Sequence, residues 1–164
     1  MRLSRISFVL ACASALVSCA HGARDQTFSV APGVSSGQAL DRVLQALAQK
    51  KLTAGRVDRA AGTVVTRWFD TGYRFREIDD NQPVDYYTDI FLRHRISLVN
   101  VEGKLDVSVS TDVQRCAPLD AVITATEVQG SCRPMNVIFP TQQQAIDRLV
   151  EELRKAVSLQ PQSS

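Results

Sequence analysis

The feature that most constrains the fold is a long stretch of alternating residues between Tyr86 and Val113. In its second half, apolar or weakly polar residues occupy every second position: Leu105, Val107, Val109, Thr111 and Val113. Successive side chains of a β-strand point to opposite faces, so this pattern predicts one buried and one solvent-exposed face. Glu102-Gly103-Lys104 interrupts the stretch and predicts a tight turn. The sequence therefore predicts two long antiparallel strands, the first over residues 86–101.

Two segments on either side of these strands show the three-to-four-residue spacing of amphipathic helices. In residues 36–51 the apolar positions are Leu40, Val43, Leu44 and Leu47. In residues 142–158 they are Ile146, Leu149, Val150, Leu153 and Val157. Ser35 with Gln38 predicts a capping box at the first helix, and Pro140-Thr141 followed by Gln144 predicts another at the second.

Shorter β-prone segments, separated by turn residues, lie in the rest of the chain. We predict further strands at residues 27–30, 63–69, 73–78 and 121–128, and a loop at residues 79–83. The order helix, strands, helix indicates a two-layer α+β fold. In it, an antiparallel sheet of about four to six strands packs one face against an N-terminal and a C-terminal helix. We expect one domain over residues 27–158, followed by a disordered tail at residues 159–164.

The N-terminus has the three parts of a secretory signal peptide. Arg2 and Arg5 precede an apolar run over residues 6–17, and small residues follow this run. A membrane-spanning helix needs roughly 20 apolar residues, so the run is too short to be a comfortable anchor. We expect residues 1–18 to be removed during export.

The residues at the expected cleavage site, Leu16-Val17-Ser18-Cys19, resemble the lipobox of bacterial lipoproteins. The resemblance implies that Cys19 becomes the mature N-terminus and receives diacylglycerol on its sulfur and an acyl chain such as palmitate on its amine. Residues 19–26 then form a lipidated tether. Because Ala20 rather than an aspartate follows the cysteine, the resemblance also implies the outer membrane, on its periplasmic face. The alternative is ordinary secretion, in which Cys19 has no role.

The layout of the domain also resembles that of the helix-grip envelope lipoproteins, such as the C lipoprotein of the β-barrel assembly machine. The similarity covers roughly residues 36–158 and concerns the order of helices and strands, without a shared motif. It implies a fold and a location in the envelope. It assigns no functional residue.

After removal of the signal peptide, the domain keeps two cysteines, Cys116 and Cys132. In an exported protein such a pair predicts a disulfide, which would stabilise the fold by roughly 3 kcal/mol through closure of the loop between them. The alternative, two free thiols for metal or redox chemistry, needs a Cys-x-x-Cys spacing or further ligands. The full sequence has 19 Lys and Arg residues and 17 Asp and Glu residues. Removal of Arg2 and Arg5 with the signal peptide makes the two numbers equal. This charge balance gives no indication of nucleic-acid binding.

Residues that commonly carry catalysis are sparse in the mature chain. Its two histidines are His21 in the tether and His94 within a predicted strand. We interpret His94 as a hydrogen-bonded or half-buried strand residue, and a catalytic base is the alternative. Arg93 and Arg95 point to the opposite face, so the three side chains cannot form one patch for an anion. Asp79-Asp80 fits a solvated turn, and we expect no metal, no cofactor and no catalytic residue.

One group of aromatic and arginine residues indicates a binding surface. It comprises Arg67, Trp68, Phe69, Tyr73, Arg74, Tyr86 and Tyr87. The candidates for contact with a partner are Arg67, Trp68, Tyr73, Tyr86 and Tyr87. Aromatic and arginine side chains are enriched in the energetically important parts of protein interfaces. The alternative is that these side chains belong to the core or support a loop.

Together these features predict a lipid-anchored envelope protein. It would act in the periplasm as a non-catalytic binding or assembly accessory that contacts another envelope protein. One alternative is a carrier of an apolar ligand between the helices and the sheet. A second alternative is a cell-wall-acting enzyme, because two carboxylates that converge only in the fold cannot be recognised from sequence.

Overall fold

The computed structural model describes residues 23–77, 86–117, 122–123, 128–129, 132–136 and 138–159. The predicted signal peptide, residues 19–22, the loop at residues 79–83 and residues 160–164 of the predicted tail lie outside this part of the chain. The elements follow in the order β1 (Gln26–Ser29), α1 (Ser36–Gln49), β2 (Ala54–Asp58), β3 (Thr63–Thr66), β4 (Phe69–Glu77), β5 (Tyr86–Val101), β6 (Lys104–Cys116), β7 (Val122–Ile123), β8 (Val128–Gln129), β9 (Cys132–Pro134) and α2 (Pro140–Ser158). Within the described ranges, neither helix is long and apolar enough to cross a membrane.

In the described part of the chain, the strands form one antiparallel sheet of seven strands and a separate two-stranded sheet of β7 and β8. Across the larger sheet the order is β1-β6-β5-β3-β2, while β4 also pairs with β5 and β9 also pairs with β6. The predicted α+β class is confirmed. The sheet has one strand more than the predicted four to six, because β5 with 16 residues and β6 with 13 are each long enough to pair with two shorter strands along one edge.

The centre of the sheet is the hairpin of β5 and β6, which pair from Asp89 onward as far as Val101 opposite Lys104. The turn between them contains Glu102 and Gly103, whose φ angles are 51° and 80°. Positive φ at both positions is typical of the type I′ turn, whose twist suits an antiparallel hairpin. The strand predicted over residues 86–101 and the turn after it are therefore confirmed.

The hydrophobic core lies between this sheet and the two helices. On the sheet side it contains alternate residues of β5 and β6, namely Ile90, Leu92, Ile96, Leu98, Val107, Val109 and Val113. On the helix side it contains Leu40, Val43 and Leu47 of α1 and Ile146, Leu149, Val150, Leu153 and Val157 of α2. The two-residue period of the strands and the apolar stripes of the helices thus meet in one core, as the sequence predicts.

The two helices begin with different caps. Ser35 Oγ accepts a hydrogen bond from the Gln38 N–H at 3.3 Å, and Gln38 Oε1 accepts one from the Ser35 N–H at 3.0 Å, so the predicted capping box of α1 is present. The second predicted box, with Thr141 as the cap, is wrong, because α2 begins at Pro140 and its N-cap is Phe139. Proline favours the first helical position, since its fixed φ suits the helix and no needed donor is lost there.

Two predicted strands differ from the observed ones. The segment predicted as one strand over residues 63–69 is interrupted at Arg67-Trp68. As a result β3 pairs with residues 95–97 of β5, and β4 continues along residues 86–92 of the same strand. The single strand predicted over residues 121–128 is also wrong, because β7 and β8 are separate strands that pair with each other antiparallel. Residues 121 and 124–127 lie outside the described part of the chain.

Candidate functional site

On the sheet face turned away from the helices, Trp68, Phe91 and Cys116 form a small buried cluster. Cys116 lies directly opposite Cys132 in the pairing of β6 with β9. The two cysteines form a disulfide, with their Cα atoms 4.1 Å apart. The bridge predicted from the cysteine pair is therefore present, and it ties the short strand β9 to the centre of the sheet.

Trp68 is covered by an arginine that is itself paired with a carboxylate. The guanidinium carbon of Arg93 lies 4.6 Å from the centre of the Trp68 ring. Arg93 Nη2 also lies 2.7 Å from Asp112 Oδ2. Such a stack combines cation–π attraction with apolar packing. Because Trp68 is only 4% exposed, it packs within the domain and offers little surface to a partner.

The other candidates for partner contact are distributed over both faces of the sheet. Arg67 is exposed within the break between β3 and β4. Tyr73 is 45% exposed on the helix side, whereas Tyr87 is 48% exposed and shares the opposite face with Phe91. Tyr86 begins β5, and its side chain lies outside the described part of the chain. The candidates whose side chains the structure describes therefore do not lie together in one surface.

A cavity of about 420 Å³, here named the helix–sheet cavity, opens between the first half of α2 and the strands β4 and β5. Its apolar walls include Leu52, Phe69, Leu92, Ile146 and Leu149. Its buried polar lining consists of His94 and Gln142, and exposed Lys50, Asp70, Tyr73 and Arg148 lie at its rim. An apolar pocket of this size with a few polar groups is typical of small-molecule sites.

His94 is 2% exposed and lines the cavity. Its Nδ1 lies 2.9 Å from Thr111 Oγ1, and its backbone N–H donates to Thr66 Oγ1 at 2.9 Å. Its ring centre is 5.3 Å from that of Phe69. Burial lowers the pKa of His94 to about 4, and the negative charge of Asp112 opposes this effect only in part. The imidazole is therefore neutral at neutral pH, and its neighbours fix its orientation.

We expect His94 to make the fold less stable as the pH falls from about 6.5 to about 4. In this interval the unfolded chain, with an ordinary histidine pKa, binds a proton that the folded chain excludes, so the free energy of unfolding decreases. The loss adds up to about 3 kcal/mol, since a tenfold change in an equilibrium constant corresponds to about 1.4 kcal/mol. Urea unfolding of the wild type and of His94→Gln at neutral and acidic pH measures it. The variant should lose less stability on acidification, and equal losses would refute the prediction.

Gln142 is 1% exposed and lines the cavity in the first turn of α2. Its Oε1 accepts a hydrogen bond from the Phe139 N–H at 3.1 Å. Its Nε2 is buried and has no hydrogen-bond partner among the described residues. Buried amide groups normally have partners, so this unpaired donor, on a residue that lines the cavity, calls for an explanation. Nothing in the sequence distinguished Gln142 from the polar residues beside it.

The two cations at the rim of the cavity make only exposed contacts within the described part of the chain. Lys50 Nζ lies 3.8 Å from Glu152 Oε1, and Arg148 Nε donates to the Gln144 carbonyl oxygen at 3.2 Å. An exposed ion pair such as that of Lys50 with Glu152 contributes little to stability, so it competes weakly with a ligand for the lysine. No group of three or more His, Cys, Asp and Glu side chains that could hold a metal ion is present among the residues that the structure describes.

The sequence matches no model of a known protein family, and it matches no curated protein. Among solved structures, the chain is similar to the crystal structure of a DUF4468 family protein from Bacteroides ovatus, with a TM-score of 0.44 and 10% sequence identity. The match covers 86% of this chain and 88% of that chain.

Proposed function

We propose that the protein is a lipid-anchored, non-catalytic binding module of the bacterial envelope, held at the periplasmic face of the outer membrane through Cys19. In this proposal it is a carrier that holds an apolar ligand in the helix–sheet cavity. Leu16-Val17-Ser18-Cys19 supports the anchor. The cavity between α2 and the sheet is the observation that carries the proposed binding function.

The construction of the cavity favours binding over catalysis. Its buried titratable group, His94, is hydrogen-bonded to Thr111 and has a pKa of about 4. A general base works best when its pKa lies near the working pH, so a histidine this acidic is poorly suited to proton transfer at neutral pH. Apolar side chains such as Phe69, Leu92 and Ile146 form the walls around it. They suit an apolar ligand, because its burial removes apolar surface from water.

A variant that fills the cavity tests the proposal. We expect the protein to bind the neutral fluorescent probe N-phenyl-1-naphthylamine saturably. Ala145→Phe should weaken this binding at least tenfold, because Ala145 lines the cavity. Ala48→Phe is the matched control, since Ala48 is an exposed residue of α1 outside the cavity lining. Fluorescence titration measures binding, and circular dichroism confirms folding. Unchanged binding by a folded Ala145→Phe protein would mean that the cavity is not the site.

Contact with another envelope protein is the second candidate function. It is favoured by two exposed side chains on the sheet face turned away from the helices, where β4 pairs with β5, namely Arg74 and Tyr87. Arg74 Nε lies 3.1 Å from Asp89 Oδ1, which holds the guanidinium group on the surface. Side chains of these types are enriched in interface hot spots. The two candidates differ in what copurifies with the protein, an apolar molecule in the first case and a protein in the second.

A further inference from the structure

We infer that the helix–sheet cavity takes a single-chain aliphatic carboxylate, whose head group accepts a hydrogen bond from Gln142 Nε2. The inference rests on the proposed binding function and specifies the class of ligand. Three features of the cavity support it: an unpaired buried donor, the positive end of a helix and an apolar wall along that helix.

The donor is the amide nitrogen of Gln142. The Phe139 N–H occupies Oε1 of the same amide, which fixes the orientation of the side chain. Nε2 is left buried without a partner among the described residues. An unpaired buried N–H is unfavourable, and an acceptor oxygen on a ligand would remove this cost. The cavity therefore favours a ligand that carries an oxygen acceptor at this end.

The helix N-terminus and the rim favour a negative charge on that acceptor. Gln142 lies in the first turn of α2, which contains no acidic residue. The N-terminus of a helix carries a partial positive charge that stabilises nearby anions. At the rim, the cations Lys50 and Arg148 outnumber the single anion Asp70. Both effects favour a carboxylate over a cationic head group.

The wall along α2 suits an aliphatic chain. From Gln142 to Leu149 the helix advances about 10 Å, at roughly 1.5 Å per residue. Ile146 and Leu149 line the cavity along this path, and Phe69 and Leu92 of the sheet complete the wall. A volume of about 420 Å³ is near the lower end of the range for small-molecule sites. It is therefore better suited to one chain than to the two chains of a phospholipid.

The substitution Gln142→Glu tests the hydrogen-bond donor without changing the rest of the site. Glutamate keeps an Oε atom for the Phe139 N–H and is well suited to the third position of a helix, so the cap is preserved. The donor, however, is replaced by a negative charge. The test uses isothermal titration calorimetry on a protein of residues 19–164 that carries Cys19→Ser. This protein contains every described residue. We expect dodecanoate to bind this protein, and Gln142→Glu to weaken that binding at least tenfold.

Two further probes complete the test. Dodecyltrimethylammonium, with the same chain and a cationic head, should bind the protein with Gln142 at least tenfold more weakly than dodecanoate. N-Phenyl-1-naphthylamine should bind the Gln142 protein and the Gln142→Glu variant equally, which would show that the substitution leaves the cavity intact. The head-group inference alone is overturned if dodecanoate binds equally well to the protein with Gln142 and to the Gln142→Glu variant. It is also overturned if dodecanoate and dodecyltrimethylammonium bind equally well to the protein with Gln142. If none of the three probes binds, the proposed binding function fails as well.

Discussion

Leu153→Ala is expected to lower the free energy of unfolding by about 2–5 kcal/mol, the range for removal of a buried leucine side chain. Leu153 is 0% exposed and belongs to the same core as Val107 and Val109. The alanine leaves a cavity, because the surrounding helices and strands relax only in part. The loss would be a large part of the roughly 5–15 kcal/mol that stabilises a typical domain.

Leu159→Ala is the matched control, since it makes the same change at a residue that follows α2 and is 66% exposed. The Leu159 carbonyl oxygen, which accepts a hydrogen bond from Arg42, is kept in the variant. The effect should stay within about 0.5 kcal/mol, as is usual for surface positions. Urea midpoints at equal m-values compare the two variants. Small and similar shifts in both would mean that α2 is not docked on the sheet.

The central hairpin was predictable because burial on one face imposes a period of two on its residues. Leu92 and Ile96 are buried, whereas Arg95 between them is exposed. A shift of one residue would place the arginine in the core and the apolar side chains in water. The helices follow from the same reasoning at a different period, since their apolar stripes must face the sheet.

The connection from β3 to β4 was harder to predict, because hydropathy does not assign neighbouring aromatic residues to faces. Trp68 lies under Arg93 on the sheet face turned away from the helices, whereas Phe69 lines the cavity on the helix side. Both residues are apolar, and each is shielded from water by its own set of neighbours. The break before Phe69 depends on β5 being long enough to pair with two successive strands, which is a property of the whole sheet.

The candidate site was less predictable than the fold. The disulfide of Cys116 and Cys132 was predictable from the number of cysteines in a domain that is expected to be exported. The alternation of apolar and polar residues in β5 predicts a position for His94 within the strand, where the structure shows its hydrogen bond. Neither the cysteine count nor the alternation predicts the unpaired Nε2 of Gln142, because hydrogen-bond pairing depends on how α2 and the sheet approach each other. The cavity likewise exists only once these elements are packed.

Cys19→Ala is expected to abolish lipid attachment, so that the protein leaves the membrane fraction or accumulates as the uncleaved precursor. In the lipobox resemblance, the thiol of Cys19 is the group that receives lipid, and alanine offers no such group. Each buried methylene contributes about 0.8 kcal/mol to membrane affinity. Loss of several acyl chains should therefore remove nearly all membrane binding, the largest change that we expect from a single substitution.

Labelling with a palmitate analogue, followed by membrane fractionation, measures this outcome. Cys12→Ala is the matched control, because Cys12 lies in the apolar run of the predicted signal peptide and would be discarded. It should label and fractionate like the wild type. A Cys19→Ala protein that still takes up label and stays with the membrane would show that the lipobox interpretation is wrong.

The position of the anchor also affects how the domain would obtain its ligand. Cys19 and Ala23, the first described residue, are four residues apart, a span of at most roughly 14 Å. The anchor would therefore hold the domain near the bilayer, where an aliphatic carboxylate that leaves the membrane meets it at a high effective concentration. Processed Cys19→Ala protein loses this proximity and keeps its fold. It should bind dodecanoate from solution like the wild-type domain, yet acquire it from vesicles more slowly than the lipidated protein does.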